Sequence, residues 1–410
     1  MRNGLNRWVP AGSMMLVSVL SYIDRNTLAL LAPTILKDTH MSVAAYGWVV
    51  SAYSVLFTIA NPLWGKILDT IGLRRGMTAA VSLWTLASAS HAWAAGFGGF
   101  AAARAALGLG EGAASPGGLR TVVQTLPATS RSRGMALTFS GGSAGAILTP
   151  FIMTPVAIAW GWRAAFWFTG LLGAAWVVVW LALSRRPDVR KVEPPAETRN
   201  DPGKPRLNDR RFWAYLLSYS LGALPLGFVV YSAAIYLSRV LGLSQRAIGA
   251  VLWVPPLGSE IGVFFWGWLA DRLARGPGAD AAARLRVVRR LLPAAMLLSL
   301  PLAATGLTRS PALVMAHLFF AMFVAAGFQI LPLIYGTEVF SRAYAGYLGG
   351  LASGSYGAGL AALMPLFGRL FDVRRYNLAF ALAALCPVLG YLSWRFLTAR
   401  NAHSHASRSH

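Results

Sequence analysis

Only one cysteine, Cys386, stands in the 410-residue sequence. That excludes an intrachain disulfide and any metal cluster built on cysteine. Charge is just as scarce: 12% of the residues are Asp, Glu, Lys or Arg, against about a quarter in a soluble chain. Too little polar side chain is left to coat a surface that faces water. The acids are rarest, 14 against 37 Lys and Arg. Also missing are a nucleotide-cradling loop, zinc-ligand spacing and a nucleophile elbow, so no enzyme, cofactor or metal site is expected. No cleavable signal is expected either. The first apolar run extends well past a signal core and contains Asp24 and Arg25, so it reads as a helix of the mature chain.

What is present fits lipid as the solvent. Hydrophobic residues make up 56% of the chain, and apolar runs such as 165–183 and 378–397 are long. In hydrocarbon every backbone polar group must be satisfied inside helices or a closed barrel. Runs of about 20 residues suit helices, whereas barrel strands are about 10 residues of alternating polarity. The pattern predicts an all-α polytopic membrane protein with twelve transmembrane helices. The first six fall at 12–35, 46–65, 77–95, 98–126, 134–158 and 163–184. The second six fall at 212–237, 246–270, 289–306, 311–336, 343–367 and 376–398. The expected domains are an N-terminal six-helix bundle over 1–184 and a C-terminal one over 212–398, joined by a Pro- and charge-rich cytoplasmic linker over 185–211. A disordered cytoplasmic tail is expected over 399–410.

The net charge of +23 lies in short stretches between apolar spans, not on one continuous basic face. Nucleic acid is therefore not an expected partner, and the arginines read as topology. With the N-terminus inside, cytoplasmic segments hold Arg2, Arg7, Lys66, Arg74, Arg75, Arg131, Arg133, the linker cations and the run from Arg272 to Arg290. Both termini are thus expected in the cytoplasm, in a cell inner (plasma) membrane. The two halves also echo each other. Gly65-Lys66-Ile67-Leu68-Asp69 follows the second helix, and Gly267-Trp268-Leu269-Ala270-Asp271 follows the eighth. Equivalent helices in the same orientation imply parallel, pseudo-symmetric repeats.

Charges inside a span are costly, about 2.5–3.5 kcal/mol each on insertion scales, so each needs a reason. Asp24 and Arg25 lie mid-span in helix one. Neighbours on a helix point about 100° apart, so these two need not pair with each other. Arg25 offers a planar fork of donors suited to a carboxylate. Arg104 and Glu111 lie seven residues apart in helix four, two turns along one face. A structural ion-pair network between helices one and four is the competing reading of all four charges. Glu260, mid-span in helix eight, has no assigned role.

Gly65-x-x-x-Asp69-x-x-Gly72-x-Arg74-Arg75 is similar to the signature loop of the major facilitator superfamily. Within it, Ser21-Tyr22-Ile23-Asp24-Arg25, Arg104 to Gly112 and Gly161-Trp162-Arg163-Ala164-Ala165-Phe166 resemble the anion:cation symporters of sugar acids and related carboxylates. The resemblance covers the whole chain and is stronger in the first half. It implies that Arg25 holds the substrate carboxylate, that Tyr22 lines the cavity and that Asp24 and Glu111 carry the coupling proton. It makes Arg104 the basic partner in helix four and a further member of the expected substrate-binding set. Phe57 and Gly142 depart from the polar side chains such carriers often place there, which points to a smaller or less hydroxylated anion.

Asp69, Arg74, Arg75 and Asp271 read as gating residues at the cytoplasmic ends of helices. Tyr219, Gln329 and Ser353 are candidates for the second half's share of the substrate site, as polar groups in apolar spans. The expected function is proton-coupled symport of a small organic anion by alternating access, by a monomer in the lipid bilayer, with proton or Na+ as the coupling ion. The rivals are a drug or lipid exporter of the same fold and a non-transporting membrane sensor.

Overall fold

The computed structural model describes residues 4–190, 205–275, 281–340 and 344–399. The expected linker between 191 and 204 and the expected tail from 400 onward lie outside the described residues. Within the described residues the chain is helical and without strands.

The helices are α1 Val9–Asp38, α2 Val43–Ser90, α3 Phe97–Glu111, α4 Ala114–Thr125, α5 Arg131–Trp160, α6 Trp162–Leu183 and the short α7 Pro187–Arg190. The second half contains α8 Arg210–Gly222, α9 Leu224–Arg239, α10 Gln245–Val251, α11 Val254–Ala274, α12 Ala281–Ser299, α13 Pro311–Val339, α14 Ala345–Asp372 and α15 Tyr376–Ala399. Among the described residues, nine helical stretches are long and apolar enough to cross a membrane. One of them, Val43–Trp93, is broken at Gly72, whose φ of 79° only glycine adopts freely. Counting that stretch as two, with α3–α4 and α14, yields the twelve helices of the fold. Large side chains such as Leu86, Val178, Phe264 and Phe396 are exposed on the helices, as lipid contact requires.

Several expected boundaries move. The stretch 66–76, expected as a loop, is helical on both sides of Gly72, so the Asp69 motif is carried on helix ends. Helix four is interrupted at Gly112–Ala113, helix seven at Ala223, and helix eight at Leu252–Trp253. Prolines explain two of these interruptions. Pro225 and Pro255 lack an N–H and clash with the preceding turn, so the chain re-starts a helix just before each. In the segment expected as linker, Val189 of α7 is fully buried, and Gln124 donates to the carbonyls of Asp188 and Val189.

The chain forms two compact units. The first comprises the described residues of Met1–Ala196 with Val230–Trp253 and Ala361–Asp372; the second comprises those of Glu197–Val229, Val254–Leu360 and Val373–His410. In the first unit α2 packs on α3 and α6, and α1 packs on α5 and α6. Its core includes Met14, Trp64, Trp84, Leu107, Trp176 and Trp180. In the second unit α11 packs on α13, and α8 packs on α15. Its core includes Phe212, Tyr215, Trp266, Phe328 and Trp394.

The repeat is visible in individual hydrogen bonds. Trp64, just before Gly65, donates its indole N–H to the Leu109 carbonyl at 2.7 Å. Trp266, just before Gly267, donates its own to the Phe323 carbonyl at 3.0 Å. Each joins the second helix of a half to the fourth. Close approach follows the same plan. A Cβ on Gly108 would lie 2.4 Å from the Tyr53 carbonyl oxygen, and one on Gly262 would lie 2.4 Å from that of Phe323. Glycine lets α3 settle against α2, which brings Glu111 to Tyr53.

Candidate functional site

Asp24 and Arg25 are sequence neighbours whose side chains take different partners. Arg25 Nε donates to Glu111 Oε2 at 2.7 Å, joining α1 to the end of α3. The same oxygen accepts from Ser21 Oγ at 2.8 Å and from the Tyr53 hydroxyl at 2.6 Å. Glu111 is fully buried, whereas the Arg25 side chain is 19% exposed. Three donors converging on one oxygen is the environment of a carboxylate, and charge-assisted bonds of this length are the strong ones. Oε1 of Glu111 is buried and accepts from no group among the described residues. It is the position at which a proton can be added without displacing any of the three donors.

Asp24 is buried and accepts from Ser88 Oγ at 2.6 Å, and Ser88 Oγ lies 2.7 Å from Thr169 Oγ1. Helices α1, the second limb of α2 and α6 therefore meet at this acid. Arg104 is buried as well. Its Nη2 donates to the backbone carbonyls of Asp24 at 3.2 Å and Arg25 at 3.5 Å, which braces α3 against α1. Its Nε and Nη1 are buried without a hydrogen-bond partner among the described residues.

Aromatic rings surround the guanidinium of Arg25. Its Cζ lies 4.6 Å from the Phe57 ring centre, 5.0 Å from that of Tyr22 and 5.3 Å from that of Tyr53. Each contact is within cation–π range. Phe57 and Tyr53, one turn apart on α2, stack with centroids 5.7 Å apart. The Tyr22 ring lies over α5, where a Cβ at Gly142 would come within 2.8 Å of its Cε2.

Of the residues expected from the sequence, Tyr22, Asp24, Arg25, Arg104 and Glu111 come together in the first unit. Tyr219, Gln329 and Ser353 lie in the second, half-buried on α8, α13 and α14. Among the gating candidates, Asp69 forms an ion pair with Arg120 of α4. Arg74 and Arg75 form no ion pair within 4.0 Å among the described residues. Asp271 lines an open cleft with Ala274, Arg275 and Arg284, and Arg284 pairs with Glu338 at 3.1 Å rather than with Asp271.

Sequence reasoning missed Ser21, Tyr53, Ser88 and Thr169, the hydroxyls that hold the two acids. It also missed Asp372, whose two oxygens accept from the first N–H groups of α2, Val43 and Ala44, each at 2.9 Å.

The sequence profile of the Major Facilitator Superfamily matches residues 14–352. The chain belongs to that superfamily. Relatives within it include the hexuronate transporter of Escherichia coli K12, 26% identical over 98% of this chain and 97% of its own length. A galacturonate transporter of Dickeya chrysanthemi is 29% identical over 64% of this chain and 81% of its own. Among solved structures, a bacterial homologue of the human lysosomal transporter Spinster, inward-facing and unoccupied, aligns over 97% of both chains with a TM-score of 0.74 at 16% identity. The fold is therefore that of the superfamily, and these two relatives are named as carriers of sugar acids.

Proposed function

We propose that this superfamily member is a secondary active transporter that couples uptake of an organic carboxylate, a sugar acid or another carboxylate, to protons by alternating access. The observation that carries the reading is the bond from Arg25 Nε to Glu111 Oε2 at 2.7 Å. While Glu111 is ionised, its charge competes with any substrate carboxylate for the same guanidinium. A proton on Glu111 removes that competitor and leaves the fork of Arg25 positively charged toward an anion. With both acids ionised, Asp24 and Glu111 balance Arg25 and Arg104. One proton makes the set +1, and one bound monoanion returns it to zero. The neutral states, empty or carrying proton and anion together, are the cheaper ones to expose in turn to either side of the bilayer. This yields symport without further parts.

Asp24, held by Ser88, is the second candidate for a coupling proton, and Na+ is the alternative ion. Arg104 positions α1 through its backbone. Tyr219, Gln329 and Ser353 are proposed as the second unit's contribution. Asp69 with Arg120, together with Arg74, Arg75 and Asp271, serves gating at the cytoplasmic face. A monomer with both termini in the cytoplasm and residence in the inner membrane complete the proposal. Its support is the concentration of Lys and Arg in the segments assigned to that side.

Purified protein in liposomes should accumulate labelled galacturonate when the outer solution is acidic. Glu111→Gln should bind the acid yet lose accumulation driven by the pH gradient. Accumulation by Glu111→Gln that persists against a gradient and ignores a proton ionophore overturns proton coupling.

A further inference from the structure

The surroundings of Arg25 bear on which carboxylate the site takes. Its Nε is committed to Glu111. Nη1 and Nη2 donate to no protein group among the described residues, so they form the edge available to a ligand. That edge is flanked by rings: Phe57 at 4.6 Å, Tyr22 at 5.0 Å and Tyr53 at 5.3 Å from Cζ. Two of the hydroxyls nearby are in use. Ser21 and Tyr53 both donate to Glu111 Oε2, and Phe57 has none to offer. Tyr22 is 39% exposed, and its phenol has no hydrogen-bond partner among the described residues.

The rings are also held in place. Phe57 is stacked on Tyr53 with an interplanar angle of 17°. Tyr22 lies against α5, where Cβ atoms at Gly142 and Gly145 would come within 2.8 Å and 3.0 Å of it. Any side chain at 142, a polar one included, would have to displace the ring.

We propose that the preferred substrate is a carboxylate on a planar, largely apolar body, such as an arylcarboxylate, and that Phe57 and Tyr22 set this preference. The inference rests on the carboxylate site proposed above and narrows it. A carboxylate held by both Nη groups lies in the plane of the guanidinium. An aryl group conjugated to that carboxylate shares the plane and offers its faces and edges to the flanking rings. A sugar acid instead brings a hydroxyl on nearly every carbon. Each one packed against a ring gives up water without gaining a partner there.

The test is titration calorimetry of the full chain in detergent at mildly acidic pH, with benzoate and D-galacturonate as probes. The wild type should bind benzoate about tenfold more tightly, the factor that about 1.4 kcal/mol represents. Phe57→Ser should bring the two affinities together, and Phe57→Leu, which keeps an apolar side chain without the ring, should fall between. Arg25→Gln should lose both acids. Tighter binding of galacturonate by the wild type, or an unchanged ratio in a folded Phe57→Ser or Phe57→Leu variant, overturns the inference and leaves the carboxylate site standing. Binding of neither acid, or equal binding by Arg25→Gln, overturns the site and the inference together.

Discussion

Arg25 and Glu111 meet through one oxygen: Nε reaches Oε2 at 2.7 Å, while Oε1 stays buried without a partner among the described residues. The pair is thus a buried salt bridge supported by two hydroxyls, and its worth is best measured by breaking it from each side. Removing one partner leaves the other charge uncompensated, at about 3–5 kcal/mol, whereas removing both charges costs far less. Arg25→Gln alone should therefore lower the melting temperature sharply. Glu111→Gln alone should be milder, because the Arg25 side chain reaches solvent. The double variant should recover at least half of what Arg25→Gln loses. Additive losses in thermal unfolding would mean that the two side chains are not coupled.

Part of this site was legible in the sequence. Charges in an apolar span stand out because lipid penalises them, and Asp24, Arg25, Arg104 and Glu111 were found in that way. Hydroxyls carry no such signal. A serine or threonine in a membrane helix can return its proton to its own helix, as Thr27 does to the Ile23 carbonyl at 2.7 Å. Nothing local separates it from Ser88, which reaches across to Asp24. Asp372 was hidden differently. It sits among Arg369, Arg374 and Arg375, so its charge does not stand out locally, while its partners lie more than three hundred positions earlier in the chain. Helix number was legible, but the interruption of helix four was not, because Gly112 also fits an unbroken membrane helix.

The glycine contacts predict opposite outcomes for one substitution at two places on α3. A Cβ at Gly108 would lie 2.4 Å from the Tyr53 carbonyl oxygen, whereas one at Gly98 would meet nothing within 4 Å. Backbone cannot swing aside as a side chain does. Gly108→Ala should destabilise by about 1–3 kcal/mol through overpacking. Gly98→Ala should be neutral or stabilising by up to about 1 kcal/mol. Because Tyr53 holds Glu111, Gly108→Ala should also weaken carboxylate binding, which Gly98→Ala leaves alone. Equal melting temperatures for the two variants would refute the close packing of α2 and α3.

Asp372 ends α14 and caps α2. Its Oδ1 accepts from Val43 N and its Oδ2 from Ala44 N, with Arg239 Nη1 3.6 Å from Oδ1. Ser42 Oγ takes the N–H of Ala45 at 3.0 Å, so side chains satisfy three of the four orphan donors at this terminus. Asp372→Ala should cost about 0.5–2 kcal/mol, the range of a lost N-cap. Asp372→Asn should cost about as much, because its NH2 group would face a donor where an oxygen now accepts. Thermal unfolding of both variants checks this. An Asp372→Asn protein as stable as the wild type would mean that one oxygen suffices.

The repeated tryptophans make a prediction about independence. Trp64 bonds to Leu109 in the first unit and Trp266 to Phe323 in the second, at positions 202 apart. Phenylalanine keeps most of the ring and removes only the N–H, so each Trp→Phe change isolates one hydrogen bond. Each should cost about 0.5–1.5 kcal/mol. The two sites share no partner, so the double variant should match the sum within about 0.5 kcal/mol. A loss in the double variant well beyond that sum would show that the second-to-fourth helix joints stabilise each other. The two joints would then be parts of one cooperative structure rather than a device used twice.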